Sequence, residues 1–533
     1  LNRLFKSASL HIGRDLFLLV RIRITICTHW SRQKTKARSA RIGGSPESLH
    51  LISLSIDLSN SIVCVCNATY CDDTVSQVPA TPEKGTYHRF TSSKDGLRLK
   101  FSTGNFTTSR IHTPVFSTVI LDKTKTYQTI RGFGGAFTDA AGININKLIL
   151  PQCYLSEFPD SGSGYTLGRV PIAGTDFSTR KYTYRDTETS KFNLTDEDYN
   201  YKIPYIQKAL ELNPNIKFFA AAWSAPPWMK TNNDTVAPGF LRTDCYQVYA
   251  DYIINFLEEY KRNGIDIWAV STGNEPLSNV IIHPNYNKMG WTPKGVGKWI
   301  AENLGPSLSN SEFDGTKIMI IDDQRIEIPS FPQKIFENEK AKNYSQIIAV
   351  HWYLDSITPP QVLNTMHELH PDKELLMTEA CTGSTPFSGP PVILGSWFRA
   401  EEYILDIMEN LNHWMTGWVD WNIALSKTGG PNWANNFVDS PIIVEPDTDE
   451  FFKQPMYYSI KHFSRFVEPG SIRIGISDIR KLKTIAFLTP KNETIIILYN
   501  STCSQIALLS SILDFYVNIS VYMACCDRPT CGA

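Results

Sequence analysis

Glu275 ends the β-rich run Ile267–Glu275, within Thr272-Gly273-Asn274-Glu275-Pro276, and Glu379 lies at the end of the run Glu374–Ala380, within Thr378-Glu379-Ala380-Cys381. A carboxyl group at a strand end can donate a proton, accept one or attack an electrophilic carbon, according to its ionisation. Two carboxyl groups flanking one glycosidic bond are the minimum equipment for its hydrolysis. One must be neutral to protonate the leaving oxygen and the other ionised, so their surroundings must push the two pKa values apart. Reaction with retention of configuration sets the carboxyl groups about 5–5.5 Å apart, and inversion sets them farther apart to admit a water. A single glutamate after a strand is ordinarily a solvated loop residue. The reading rests on the pair, carried by strands that lie nearly opposite across a barrel mouth.

The elements that would hold this pair recur along the chain. Eight β-rich runs, Arg131–Thr138, Thr166–Ala173, Lys217–Trp223, Ile267–Glu275, Lys317–Asp323, Ile347–Tyr353, Glu374–Ala380 and Thr416–Asn422, alternate with loops and helical patterns. Several are nearly continuous apolar stretches, as expected of parallel strands covered by helices. Tyr249, Tyr252, Ile253, Phe256, Leu257 and Tyr260 recur at helical spacing, and Gly264 ends that pattern. The expected fold is therefore α/β, a (β/α)8 barrel over residues 128–422 plus 456–470, with its reactive residues at the C-terminal strand ends. Residues 76–127 and 471–533 carry alternating Thr, Val, Ile and Phe with turn residues, which predicts an antiparallel β-sandwich built from both ends of the chain. Residues 61–75 plus 423–455 are expected to form a small disulfide-containing β module.

Composition narrows the classes. The 533 residues are 42% hydrophobic, enough for one large core and a second smaller one. A formal net charge of −1 gives no global field for nucleic acid. No apolar stretch reaches the roughly 18 residues needed to span a bilayer. The first fifty residues hold ten Lys/Arg and two acids, and the apolar piece Leu16–Val20 is broken by Arg21 and Arg23. Residues 1–60, opening on Leu1, are compatible with a truncated targeting segment and are left unassigned. Eight N-x-S/T sequons, at Asn67, Asn105, Asn193, Asn233, Asn343, Asn492, Asn500 and Asn518, point to the secretory pathway. So do Cys64, Cys66 and Cys71, crowded without the spacing or fourth ligand of a zinc site and better read as a small disulfide knot. His367 and His370 have HExH rather than HExxH spacing, and Gly132-Phe133-Gly134-Gly135 lacks the last glycine of a dinucleotide loop. Neither a metal nor an organic cofactor is expected.

Long motifs then carry a resemblance. They are Val63–Asp72 (VCVCNATYCD), Arg131–Ile143 (RGFGGAFTDAAGI), Arg169–Arg185 (RVPIAGTDFSTRKYTYR), Trp223–Asn233 (WSAPPWMKTNN), Trp268–Leu277 (WAVSTGNEPL), Ala349–Ser356 (AVHWYLDS), Thr378–Ser384 (TEACTGS) and Gly429–Glu445 (GGPNWANNFVDSPIIVE). From about Cys64 to about Tyr499 the chain resembles the acid β-glucosidases of glycoside hydrolase family 30. The resemblance implies that Glu275 is the acid/base and Glu379 the nucleophile. It implies that Asn274 bonds the sugar 2-hydroxyl, and that Arg169 and Tyr353 hold the nucleophile ionised. Asp176, Trp223, Trp421 and Asn436 match the walls of a glucose subsite, where carboxylates accept hydroxyl hydrogen bonds and indoles face C–H bonds. Read without the family, Arg169 would be a structural ion pair and Trp421 core packing.

The departures matter too. The family pairs four N-terminal cysteines in two bridges; Cys64, Cys66 and Cys71 match three of them, and no cysteine stands near residue 52. Tyr286 replaces a common Phe at the aglycone entrance, a region shared with Phe387. The segment Leu148–Ser156 is short, and the tail with Cys525, Cys526 and Cys531 lies beyond the resemblance. The implied activity is hydrolysis of glucosylceramide at a lysosomal membrane surface, with a saposin-type activator and anionic phospholipid as partners. Action on sterol glucosides or glucans is the alternative within the class, and a catalytically silent glycolipid-binding protein the alternative outside it.

Overall fold

The computed structural model describes residues 61–72, 82–83, 85–106, 117–148, 162–236, 238–277, 285–384, 389–477, 482–501, 508–511 and 517–523. The basic segment 1–60, Phe387, most of the segment Leu148–Ser156 and the C-terminal cysteines fall outside these residues.

Eight parallel strands close into a barrel: β1 (Gly132–Ala136), β2 (Leu167–Ile172), β3 (Lys217–Ala222), β4 (Ile267–Ser271), β5 (Lys317–Gln324), β6 (Ser345–His351), β7 (Glu374–Glu379) and β8 (Met415–Asn422). Each pairs with its sequence neighbours, and β8 returns to β1 through Gly417 opposite Gly132 and Trp418 opposite Phe133. The strands read as apolar runs because both faces are covered. Leu167, Phe219, Ala269, Met319, Ile347, Ala349, Leu376 and Val419 form one buried cluster contributed by seven of the eight strands, the packed interior of the barrel. Outside, the helix Tyr246–Arg262 buries Tyr249, Tyr252, Ile253, Phe256, Leu257 and Tyr260 along one face. Gly264, at φ +76°, turns the chain out of it.

The close β1–β2 approach requires a residue without a Cβ at position 134. A Cβ built on Gly134 would stand 1.7 Å from the Leu167 carbonyl oxygen, which is backbone and cannot move aside. Gly134→Ala is expected to cost at least the upper end of the range for overpacking, about 1–3 kcal/mol, and to lower the melting temperature of the whole barrel. Differential scanning calorimetry of the variant against wild type measures this.

A second sheet has eight strands drawn from both ends of the chain. Its order is Leu508–Ser511, Ser117–Thr129, Ile472–Ile476, Leu482–Leu488, Thr494–Asn500, Val517–Met523, Thr86–Ser93 and Lys100–Asn105. The sheet is mixed, which corrects the expectation of purely antiparallel pairing. Val517–Met523 lies parallel to both its neighbours, and Leu508–Ser511 parallel to Ser117–Thr129. Tight hairpins impose antiparallel pairing, but a strand inserted between distant segments is free of that constraint.

The third sheet is small, with Cys64–Cys66, Glu450–Lys453, Ile442–Glu445 and Leu425–Ser426 side by side. A disulfide joins Cys66 to Cys71, and Cys64 sits opposite Lys453 on the edge strand. Among the sequons, Asn105, Asn193, Asn233, Asn343 and Asn492 are exposed and Asn67 is half-buried. Asn500 is a correction: it is 1% exposed inside a strand, where no glycan fits on the folded protein. The side chain of Asn518 lies outside the described residues.

Candidate active site

The C-terminal ends of the strands converge on one buried polar network. Arg169 on β2 is its centre and is fully buried. One guanidinium nitrogen donates to Glu379 Oε2 at the end of β7. The other donates to Asn274 Oδ1 at 2.7 Å and to Asp322 Oδ2 on β5 at 3.0 Å. The planar fork thus ties three strand ends together, which a lysine could not do. Tyr353 Oη donates to Glu379 Oε1 at 2.7 Å, so both carboxylate oxygens have a fixed partner.

Glu275 lies beyond β4, in a loop hung between strands. Asn274 N donates to Ala222 O and Glu275 N to Asp322 O, each at 2.9 Å. Gly273 at φ +141° makes the turn, and Glu275 itself adopts φ +46°. A left-handed conformation in a non-glycine residue stores strain that the surrounding bonds must hold, and such residues cluster at functional sites. The Glu275 carboxylate accepts from Lys288 Nζ at Oε2, and from Gln324 Nε2 at 3.0 Å and His351 Nδ1 at 3.2 Å at Oε1. His351 Nε2 bonds Asp322 Oδ1 at 3.1 Å, and Thr378 donates to the same oxygen at 2.7 Å.

The electrostatics of the ligand-free site add what the sequence did not carry. Burial disfavours the charge of Glu275, but the Lys288 ammonium and His351 outweigh it and hold the carboxyl well below the usual carboxylate range. Without ligand, Glu275 is therefore ionised rather than neutral. Burial likewise opposes a charge on His351, yet the Glu379 charge and the hydrogen bonds to Asp322 and Glu275 raise it to about 10. Asp176 moves the other way: burial, assisted by the Glu379 charge, raises it to about 6 against hydrogen bonds from Asn436 at 2.9 Å and Asn432 at 3.1 Å.

The remaining sequence candidates form the wall. Trp223 and Trp421 stack with centroids 5.0 Å apart, and the Arg169 guanidinium lies 4.9 Å and 5.4 Å from their ring centroids. Phe177 meets Trp421 edge-on. Tyr286 packs against this aromatic cluster and accepts from Lys288 at 3.4 Å. Asn274 accepts from Arg169 at its carbonyl oxygen and carries an amide NH₂ that can donate. All ten candidates thus join one site, linked to it by hydrogen bonds, ring contacts or packing.

Sequence reasoning missed Lys288, His351, Gln324, Asp322 and Asn432. His351 and Asp322 could have been found by the same question that picked Glu275 and Glu379, namely which ionisable groups end the strands. Lys288 carried no such signal.

An oxygen of Glu275, an oxygen of Glu379 and a nitrogen of His351 all lie within 4.8 Å of one another. This donor set does not fit a metal ion. Lys288 and Arg169 already bond the two carboxylates, and a protonated His351 has no free lone pair to offer.

Paired carboxylates this close, at the mouth of a (β/α)8 barrel and beside stacked indoles, define a glycoside hydrolase. The sequence matches the glycosyl hydrolase family 30 TIM-barrel domain over residues 130–467 and the family's beta sandwich domain over residues 470–510. The chain belongs to glycoside hydrolase family 30. It is 40% identical over 468 residues to the lysosomal acid glucosylceramidase of Mus musculus, covering 85% of this chain and 90% of that protein. It is equally 40% identical over 494 residues to putative glucosylceramidase 4 of Caenorhabditis elegans, covering 90% and 92%. Among solved structures, SrfJ from Salmonella typhimurium is similar with a TM-score of 0.72 at 28% identity, over 79% of this chain and 92% of that one.

Proposed function

We propose that the enzyme is a retaining β-glucosidase that hydrolyses glucosylceramide to glucose and ceramide. The observation that carries the mechanism is the approach of an oxygen of Glu275 and an oxygen of Glu379 to within 4.8 Å, which agrees with the close carboxyl pair of a retaining reaction. Glu379, held by Arg169 and Tyr353, attacks the anomeric carbon. The bond to the aglycone oxygen breaks, and Glu275 gives that oxygen its proton. A glucosyl ester on Glu379 remains. Glu275, now a carboxylate, takes a proton from water, whose oxygen attacks the anomeric carbon and releases glucose with Glu379 restored. Asn274 and Arg169 orient the 2-hydroxyl side, while Asp176 with Asn436 and the indoles of Trp223 and Trp421 bind the ring. Tyr286 lines the aglycone side.

The ceramide aglycone is supported by the two glucosylceramidases to which most of the chain aligns. A lysosomal lumen location, reached by the secretory pathway, agrees with the lysosomal relative, the Cys66–Cys71 bridge and the exposed sequons. Among the described residues no helix is long and apolar enough to cross a membrane, so access to a bilayer lipid would fall to a peripheral encounter. Anionic phospholipid and a saposin-type activator are the proposed helpers.

Trapping with an activated fluoro-glucoside followed by peptide mapping tests the sugar and the nucleophile together. The expected adduct is on the peptide containing Glu379. Absence of an adduct on folded protein would favour a silent glycolipid-binding protein. A parallel assay compares glucosylceramide in anionic vesicles with a soluble β-glucan and a sterol glucoside. Faster release of glucose from the vesicles is expected, and preference for either of the others would overturn the ceramide assignment.

A further inference from the structure

Lys288 is fully buried, and its ammonium donates to Glu275 Oε2. Its position is built rather than incidental. Lys288 N donates to Thr235 O at 2.8 Å, and Val236 and Asn287 form a β-bridge. A second buried lysine, Lys230, donates to Lys288 O at 2.6 Å and Thr235 O at 3.0 Å, clamping the loop from below. The mechanism above requires Glu275 to serve first as acid and then as base, and it assigns Lys288 no part.

We propose that Lys288 is a positioning residue of the reaction: its grip on Glu275 Oε2 keeps that group a carboxylate ready to act as base, and loosening of the grip by an incoming aglycone lets Glu275 hold the proton it gives to the leaving oxygen. The geometry divides the two oxygens. Oε1 is fixed by Gln324 and His351, and Oε2 answers to Lys288. Tyr286, at the aglycone side, shares the same ammonium at 3.4 Å and offers it an alternative partner.

Other charged groups around Glu275 come from the ends of β5, β6 and β7. His351 lies on β6, Asp322 and Asp323 on β5, Glu327 just beyond β5, and Glu379 on β7. Burial raises both Asp323 and Glu327, the Glu275 charge adds to both, and Asp323 further raises Glu327. Each is thereby disfavoured as a carboxylate and contributes less negative charge than a free one. Among the described residues, Lys288 and His351 are cations that face Glu275 directly.

The sign follows. Removing the Lys288 charge raises the pKa of Glu275. Its acid form then survives to higher pH and its base form appears only at higher pH. An opposite charge in contact displaces a carboxyl by about 1–3 pH units. For an alkyl β-glucoside, which needs the acid, the alkaline limb of kcat/KM is expected to move up by that amount in Lys288→Met. For a dinitrophenyl β-glucoside, which leaves unaided, turnover awaits the base, and the acid limb of kcat is expected to move up as well. Lys288→Gln should do the same, and Lys288→Arg, which keeps the charge, should leave both limbs in place. A purely structural role would lower both amplitudes without moving either limb, and that result overturns the proposal.

Infrared difference spectra of the wild-type protein, with Glu275→Gln as the subtraction reference, give a reading independent of whether the Lys288 variants fold. No carboxylic-acid band from Glu275 is expected just above the usual carboxylate range, and finding one overturns the proposal. The inference rests on the acid/base role given to Glu275. If Glu275→Gln turns over alkyl glucosides normally, that role fails. If Glu275→Gln is impaired but the Lys288→Met limbs stay put, only the part given to Lys288 fails.

Discussion

Glu379→Gly is expected to lose hydrolysis of every β-glucoside, by about 10⁴–10⁶-fold in kcat, the scale seen when a nucleophile that acts within a concerted group is removed. The loss should be independent of the leaving group, because no aglycone can depart until something attacks the anomeric carbon. Arg169 and Tyr353 would remain, their donors aimed at the space the carboxylate filled. That space suits a small anion. Added azide should enter it and attack the face of the sugar that Glu379 attacks, inverting the centre and releasing α-glucosyl azide. Aglycone release gives the rate, and nuclear magnetic resonance of the sugar product gives the configuration. Formation of β-glucosyl azide, or a variant only tenfold impaired, would remove Glu379 from the nucleophile's place. Loss of Glu379 also leaves Arg169 with one fewer buried anion, so part of any loss could come from unfolding. Azide rescue separates the two, because an unfolded protein cannot be rescued.

How much of this could be read from the letters varies by element. The eight barrel strands were legible because a parallel strand covered on both faces must be apolar along its length, as in Lys217–Ala222 and Lys317–Gln324. The ends of the runs were less so: Glu275 lies four residues past the last paired position of β4, in a left-handed turn that no propensity predicts. Glu275 and Glu379 were legible because barrel chemistry sits at strand ends. The parallel insertion of Val517–Met523 was not, since alternation of side chains reports that a strand has two faces and says nothing of its direction. The direction of the Glu275 pKa was not legible for a related reason. It depends on Lys288, thirteen residues along the chain, which the fold of one loop against Thr235 brings into contact. Spacing finds groups that share an element, whereas charge balance in a buried site depends on groups that share only space.

Glu275→Ala is expected to separate substrates that need a proton from those that do not. General acid catalysis contributes about 10²–10⁴-fold, so an alkyl glucoside or glucosylceramide should lose roughly that much in kcat/KM. A dinitrophenyl glucoside, whose phenolate departs unaided, should form the glucosyl ester on Glu379 at nearly the wild-type rate. It should then stall, because water has lost its base, and a burst of phenolate followed by a slow steady state is the expected trace. Azide needs no base. It should speed the steady state and yield β-glucosyl azide, the opposite anomer from that expected of Glu379→Gly, because it attacks from the face opposite the ester bond. The variant also leaves Lys288 and His351 facing a cavity without their shared anion, so its melting temperature should fall even as the burst persists. Equal impairment of both substrates, with no burst, would mean that Glu275 positions the sugar rather than moving a proton, and the two-carboxylate mechanism would then lack its acid.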